Sequence, residues 1–599
     1  MKTTKNIARL AITAGLTAAL SFGGVMAPMT MAFAAGTPTV ATEPGKVFIT
    51  DPDTEYATSF KGIQIFTAKI TQDKKSDGWD DSVAKTLSDI QWASGNVKTL
   101  VTTALKNVKG VPDVNADAQT WAEFINQAQG SNAGKNTAVD NGTVLDLIAA
   151  ALEGDKTLTW TQPSNSSKGN FENLEHGYWL FVTDAPGKTS GNNGNTDAYT
   201  SPIFTIVGGS DVNVTPKKNV PNVTKAVKDD KDGSTFGADV FKNPNKVADS
   251  AMDQYVDYQL TGTVASNINT YSTYKYIFTD ELPKSMTPRF TDKAGSMSPA
   301  VTVKIDNKKV ISGYTATLDE NNVLKVDFTD LKTCKGENNS AITVTGNSTV
   351  TVEYQAKLDS DTIFETNGSI KTVFDGLIGK GQENKVKLTY SNNPHAEGTG
   401  DTVVHPAYDY TYGIDVTKVG SDTVDGKNPP LSGVKFTLQE KNGDTIENKY
   451  IDAKGVKHAE NEVVELTTDD GGKISVVGLD EGSYILKEVT PAPGYNNSAK
   501  DGVTFTIKRD SNDQLYQAGQ SVTPSTDSVI DAASGVVKDG TASASTGKLS
   551  FTIVDKKGSN LPLTGLNGVT FTWIAGGAVL CIGVAHLIRS RKRDEGSEE

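Results

Sequence analysis

Cysteine is almost missing from this chain: Cys334 and Cys581 are the only two, and the second sits in an apolar run near the C-terminus. That leaves no disulfide framework, so a chain of this length must be held together in some other way. Histidine is also sparse. The five histidines are isolated from one another, which leaves neither a metal-ligand cluster nor a nucleophile–base pair of the protease kind. No metal site and no cofactor is expected. An excess of basic charge is lacking too: 58 Lys+Arg stand against 72 Asp+Glu, a formal charge of -14. Without a basic stripe, nucleic acid is excluded as a partner.

What is present is clearest at the two ends. Lys2, Lys5 and Arg9 precede an apolar stretch from Leu10 to Ala35 that closes in the small residues Ala32, Ala34 and Ala35. This is the layout of a secretory signal peptide over residues 1–35, cut after Ala34 or Ala35. At the other end stands Leu561-Pro562-Leu563-Thr564-Gly565, followed by a run from Val569 to Ile588 with no charge apart from a titratable His586. That run is long enough for a transmembrane helix to cross roughly 30 Å of hydrocarbon at roughly 1.5 Å per residue. Arg589, Arg591, Lys592 and Arg593 follow it and would stay cytoplasmic by the positive-inside bias. Pro562 presets an extended backbone, and Gly565 leaves the Thr564 carbonyl open to attack.

Between the ends the fold class reads as mainly β. Short alternating or β-branched runs such as Lys46–Thr50, Gly62–Lys69, Tyr178–Thr183 and Pro202–Val207 are bounded by turn residues. Residues 82–128 and 142–152 carry apolar spacings of three and four and predict a helical insertion. The expected domains are 36–215, 216–405 and 406–558, with 559–599 as the terminal segment. Val212-Asn213-Val214 predicts a final strand of the first domain, and Pro216 would end its ladder, leaving Lys217 and Lys218 exposed at the edge. Asp229–Ser234 has no EF-hand spacing and reads as a polar turn.

A diverged repeat follows. Val223-Thr224-Lys225-Ala226-Val227 opens one segment and Val416-Thr417-Lys418-Val419 another. As strands, each places its lysine on the same face as valines. If that face is the core, each lysine is buried, which is unusual unless it is paired or has reacted.

The ordered trio of LPLTG, apolar span and basic tail resembles the sorting signal of Gram-positive surface proteins. The Thr215-Pro216-Lys217-Lys218 stretch resembles the pilin motif of sortase-assembled pili, with threonine where the family usually has tyrosine. Further runs resemble the Ig-like (Cna-A/Cna-B-type) β-sandwich domains of the pilin subunits. These are Tyr276–Pro283 and Asn384–Tyr390 in the middle domain. In the last they are Leu431–Leu438, Gly482–Val489 with Pro493-Gly494-Tyr495, and Leu549–Lys556. The resemblance covers nearly the whole chain and implies a backbone (major) pilin subunit, not an enzyme, displayed at the cell wall as part of a pilus.

It also implies specific residues and partners. A pilin-specific sortase would cleave between Thr564 and Gly565 and join Thr564 to Lys217 of the next identical subunit, with Lys218 the alternative acceptor. A housekeeping sortase would attach the base to peptidoglycan; an accessory tip pilin and a host ligand are further implied partners. Inside the domains, Lys225 would bond to Asn384 with Asp280 as the catalytic acid, and Lys418 to Asp555 with Glu488 as the acid. Burial makes such self-catalysis feasible. It favours a neutral, nucleophilic amine and a protonated carboxyl that polarises the acceptor. A monomeric wall-anchored adhesin is the rival reading; it shares everything except the need for Lys217.

Overall fold

The structure, a computed structural model, describes residues 10–12, 37–50, 58–76, 78–81, 83–128, 139–186, 199–216, 220–228, 236, 246–291, 298–395, 397–508, 530–531, 536–543 and 546–558. Lys217, Lys218, the Asp229–Ser234 turn, the LPLTG peptide and the expected 569–588 span lie outside the described residues. Of the expected signal peptide, Leu10–Ile12 alone is described, as a strand antiparallel to Lys85–Leu87. No helix of the described residues is long and apolar enough to cross a membrane.

The chain is mainly β, arranged as successive pairs of sheets. In the first domain the long strand Ser59–Lys75 is flanked by Lys85–Trp92 on one side and Gly177–Ala185 on the other, with Ile203–Val207 beyond. A small second sheet joins Val212–Val214, Gly45–Ile49 and Asn170–Leu174. Three helices, Gly95–Leu105, Ala118–Gln127 and Val144–Gly154, cover the other face of the large sheet.

This three-layer arrangement explains why the Gly177–Ala185 strand reads as a nearly continuous apolar run. Tyr178, Leu180 and Val182 pack under the helices, while Trp179 and Phe181 face the small sheet. A strand covered on both faces has no polar side to show. Each helix starts at a side-chain cap. Ser94 accepts from Val97 N at 3.1 Å, Asp117 from Thr120 N at 2.8 Å, and Thr143 from Asp146 N at 3.3 Å, satisfying otherwise orphaned amides.

The expected helical stretch over 82–128 begins too early. Lys85–Trp92 is a strand paired with Phe66–Thr71, buried at Lys85, Leu87 and Ile90. The three-residue step from Leu87 to Ile90 mimics a helical spacing because the ladder shifts register there, with Asp89 at φ 53.

The middle domain packs a sheet containing Val223–Lys228, Tyr255–Thr263, Thr349–Leu358 and Val301–Ile305 against one containing Val247–Asp249, His405–Tyr410, Gln382–Ser391, Tyr276–Glu281 and Val323–Phe328. One continuous core joins them, including Val223, Val227, Tyr258, Phe278, Val352 and Leu388. His405–Tyr410 pairs with Gln382–Val386 and with Val247–Asp249, so by pairing it belongs to the middle domain and the expected boundary at 405/406 moves past it. Asn384 is accordingly not on the closing strand, because two further strands follow it.

In the last domain Tyr412–Gly420 lies between Lys473–Leu479 and Lys548–Asp555, parallel to the latter. The facing sheet is built on Lys435–Asn442, Gly482–Thr490 and Val503–Ile507. Backbone hydrogen bonds link neighbours: Tyr199 N to Asn392 O (2.6 Å) joins first to middle, and Met252 N to Gly478 O (2.8 Å) joins middle to last.

Candidate functional site

Val223–Lys228 forms a strand, whose period of two sets Lys225 on one face with Val223 and Val227; the whole Val223–Val227 run is buried, and Lys225 has 0% exposure. Its ammonium ends between the two sheets. It contacts Asp280 Oδ1 in a short ion pair, Asn384 Oδ1 at 2.7 Å and the Tyr354 hydroxyl at 3.0 Å. Asp280 and Asn384 are equally buried. The Tyr258 and Tyr354 rings stack 5.3 Å apart and lie 5.2 and 5.4 Å from the lysine nitrogen. Lys225, Asp280 and Asn384, drawn from three separate stretches of sequence, thus meet at one point.

Burial pushes the Lys225 amine down to about 8, against the pull of Asp280, and pushes the Asp280 carboxyl up, against the pull of Lys225. Both directions favour the uncharged pair, in which the amine is a nucleophile and the carboxyl an acid. Asp280 reaches the acceptor indirectly. Its hydrogen bonds go to Lys225 and to Tyr354, which donates to Asp280 Oδ2 at 2.5 Å, and the Asn384 amide nitrogen donates to the Tyr354 hydroxyl at 2.8 Å.

The second cluster has the same logic on different elements. Lys418, with no exposure, donates to Glu488 Oε2 at 2.9 Å and to Asp555 Oδ1 at 2.5 Å. Lys418 and Asp555 lie on adjacent parallel strands, and Glu488 comes from the facing sheet. Ser498 N donates to Asp555 Oδ1 at 3.1 Å, and the Phe436 ring lies 5.6 Å from the ammonium. Burial, opposed by Lys418 and reinforced by Asp555, pushes the Glu488 carboxyl up to about 7. One cation facing two buried carboxyls calls for one carboxyl to hold its proton.

Both clusters can perform the same chemistry: attack of an amine on a side-chain carbonyl, with a buried carboxyl moving the protons. Sequence reasoning missed Tyr354 and Tyr258. Tyr354 lies on the inward face of Thr349–Leu358 with Val350, Val352, Ala356 and Leu358, and a tyrosine in such a stripe reads as core. The polar partner at the lysine is visible only after folding.

Among the described residues two more lysines are buried, one of them beside the first cluster. Lys246 donates to Thr224 Oγ1 at 3.1 Å and to the Lys225 carbonyl, and is pushed down to about 7 by burial and then by the charge of Lys225. Lys85 donates to the Ser210 carbonyl at 2.7 Å, a backbone acceptor that offers no bond-forming chemistry.

Residues 414–521 match the family model described as SpaA, a prealbumin-like fold domain. That span opens with Lys418 and its strand and contains Glu488. No curated protein matches the chain at a significant level. Among solved structures, the T6 backbone pilin of serotype M6 Streptococcus pyogenes, described as a modular three-domain structure, is similar at 14% identity. It covers 86% of this chain and 99% of its own, with a TM-score of 0.47. Full-length major pilin SpaD of Corynebacterium diphtheriae is similar at 14% identity, covering 86% and 97%, with a TM-score of 0.43. Full-length major pilin RrgB of Streptococcus pneumoniae is similar at 13%, covering 67% and 88%, with a TM-score of 0.35.

Proposed function

We propose that the chain is the shaft subunit of a covalently assembled cell-surface pilus, with its middle and last domains each locked by a self-formed Lys–Asn or Lys–Asp amide. The observation that carries this reading is the recurrence of one unusual arrangement in successive β-sandwiches. In each, a lysine without solvent contact points at a carboxyl and at a carbonyl acceptor. A charged lysine is costly to bury, and finding the same solution twice favours a chemical purpose over chance packing. The LPLTG peptide and Lys217 supply the two ends of a linkage: Thr564 of one subunit joined to Lys217 of the next. Head-to-tail linkage of this heterologous kind does not close, so it yields a filament.

The test has two arms. Residues 36–560 expressed alone should have an intact mass lower than the plain sequence by about 35 Da, one ammonia and one water; an unaltered mass overturns the internal bonds. Denaturing blots of wall extracts should show a boiling-resistant ladder that collapses to monomer in Lys217→Ala. Wall-linked monomer alone in the wild type would make the chain a monomeric adhesin instead.

A further inference from the structure

The two clusters differ in one respect that the shared chemistry leaves open. In the last domain the acid and the acceptor are both carboxyls, and both contact Lys418 directly. In the middle domain the acceptor is an amide, whose nitrogen is a far poorer leaving group than water. There a hydroxyl stands between acid and leaving atom. Tyr354 Oη is 2.5 Å from Asp280 Oδ2, 2.8 Å from Asn384 Nδ2 and 3.0 Å from Lys225 Nζ. We propose, building on the internal-bond reading above, that Tyr354 is a catalytic residue of the middle domain, its hydroxyl passing a proton from Asp280 to the nitrogen that leaves Asn384.

The balance runs as follows. Before attack, the planar amide nitrogen has no available lone pair, so Asn384 Nδ2 donates to Tyr354 Oη and Tyr354 donates to Asp280 Oδ2. Neutral Lys225 Nζ attacks Asn384 Cγ, and Nδ2 becomes pyramidal and basic. The chain of donors then reverses. The proton on Asp280 Oδ2 moves to Tyr354 Oη as the phenolic proton moves to Nδ2, and the Cγ–Nδ2 bond breaks to release ammonia. Lys225 Nζ returns a proton to Asp280 Oδ1, the oxygen it already contacts. The Nζ–Cγ amide and one ammonia are the products; Tyr354 ends as it began, and Asp280 ends protonated again, on Oδ1 where it had carried its proton on Oδ2.

Two features keep the hydroxyl in this role. Tyr354 is buried, and its ring is fixed against Tyr258 at an interplanar angle of 13°. Burial also pushes its own ionisation well above the ordinary range, so the phenol stays protonated and works as a conduit. Tyr276, buried in the same domain with its hydroxyl donating to the Thr263 carbonyl at 2.7 Å, lies outside the path from Asp280 to Nδ2 and serves as the control.

The test is a time course on the mature chain made in a cell-free extract, following the branched tryptic peptide that joins Lys225 to Asn384. Wild type and Tyr276→Phe should form it at similar rates, and Tyr354→Phe about a hundredfold more slowly, within the range of general acid–base catalysis. Equal rates in wild type and Tyr354→Phe would overturn the role of Tyr354 while leaving the bond intact. Absence of the peptide from wild type would overturn the internal bond itself. Should Tyr354→Phe fail to fold, 3-fluorotyrosine placed at position 354 keeps ring and hydroxyl and changes only the phenol acidity. A shifted rate supports the relay, whereas an unchanged rate removes it, since a packing role would not respond to acidity.

Discussion

At the scale of single residues, the fate of a buried lysine depends on what faces it. Lys225 and Lys418 face carbonyl acceptors, whereas Lys85 faces the Ser210 carbonyl of the backbone and can only remain a lysine. Burial pushes Lys85 down to about 8 from 10.5. Between those values the unfolded chain holds more protons than the folded one, so raising the pH favours folding. The thermal unfolding midpoint of the first domain should therefore rise from pH 8 toward pH 10, and Lys85→Met should flatten that slope in a calorimetric pH series. A slope unchanged by the substitution would mean that Lys85 is not the titrating group. Lys225 and Lys418 were legible in the sequence because each alternates with valines. Lys85 was not, since Leu87 and Ile90 beside it are spaced as on a helix, and the register shift responsible is a tertiary event.

Individual elements show where local and long-range determinants part. The helices are set by short-range chemistry, with Ser94, Asp117 and Thr143 each capping its own first turn. Ser94→Ala should lower the stability of the first domain by about 1 kcal/mol, seen as a shift in denaturant midpoint with an unchanged slope; no shift would show that Val97 N finds another partner. Strands are less self-sufficient. Tyr276–Glu281 looks like any half-buried strand until Asp280 is seen at the sheet interface opposite Lys225, with Glu281 exposed beside it. The choice between those two neighbouring acids followed a resemblance, and the fold supplies the physical reason: period two turns only one of them inward. The His405–Tyr410 strand crosses the expected boundary because its pairing partners, about twenty residues or more away, leave no local mark.

Over the whole molecule, the two candidate bonds differ in what they would tie. Lys225 to Asn384 joins facing sheets, and Lys418 to Asp555 joins adjacent parallel strands of one sheet. With both closed, tension entering at Lys225 would pass directly to Asn384, and tension at Lys418 directly to Asp555, bypassing the chain between. Residues 385–417 belong to neither bypass. They stay in series with the load, like a length of cord between two knots, held by non-covalent pairing: Gln382–Ser391 and His405–Tyr410 in the middle sheet, and the start of Tyr412–Gly420 in the last. Pulling single molecules should therefore show, besides the first domain, a short extra extension of at most about 110 Å at roughly 3.4 Å per residue. Asp280→Ala should replace it with the much longer release of the entire middle domain, while an identical trace would show that force never took the shortcut. A fibre built this way would be inextensible over most of its length but would carry a small shock absorber in every subunit, one that yields before any covalent bond is loaded to breaking and re-zips when the pull subsides.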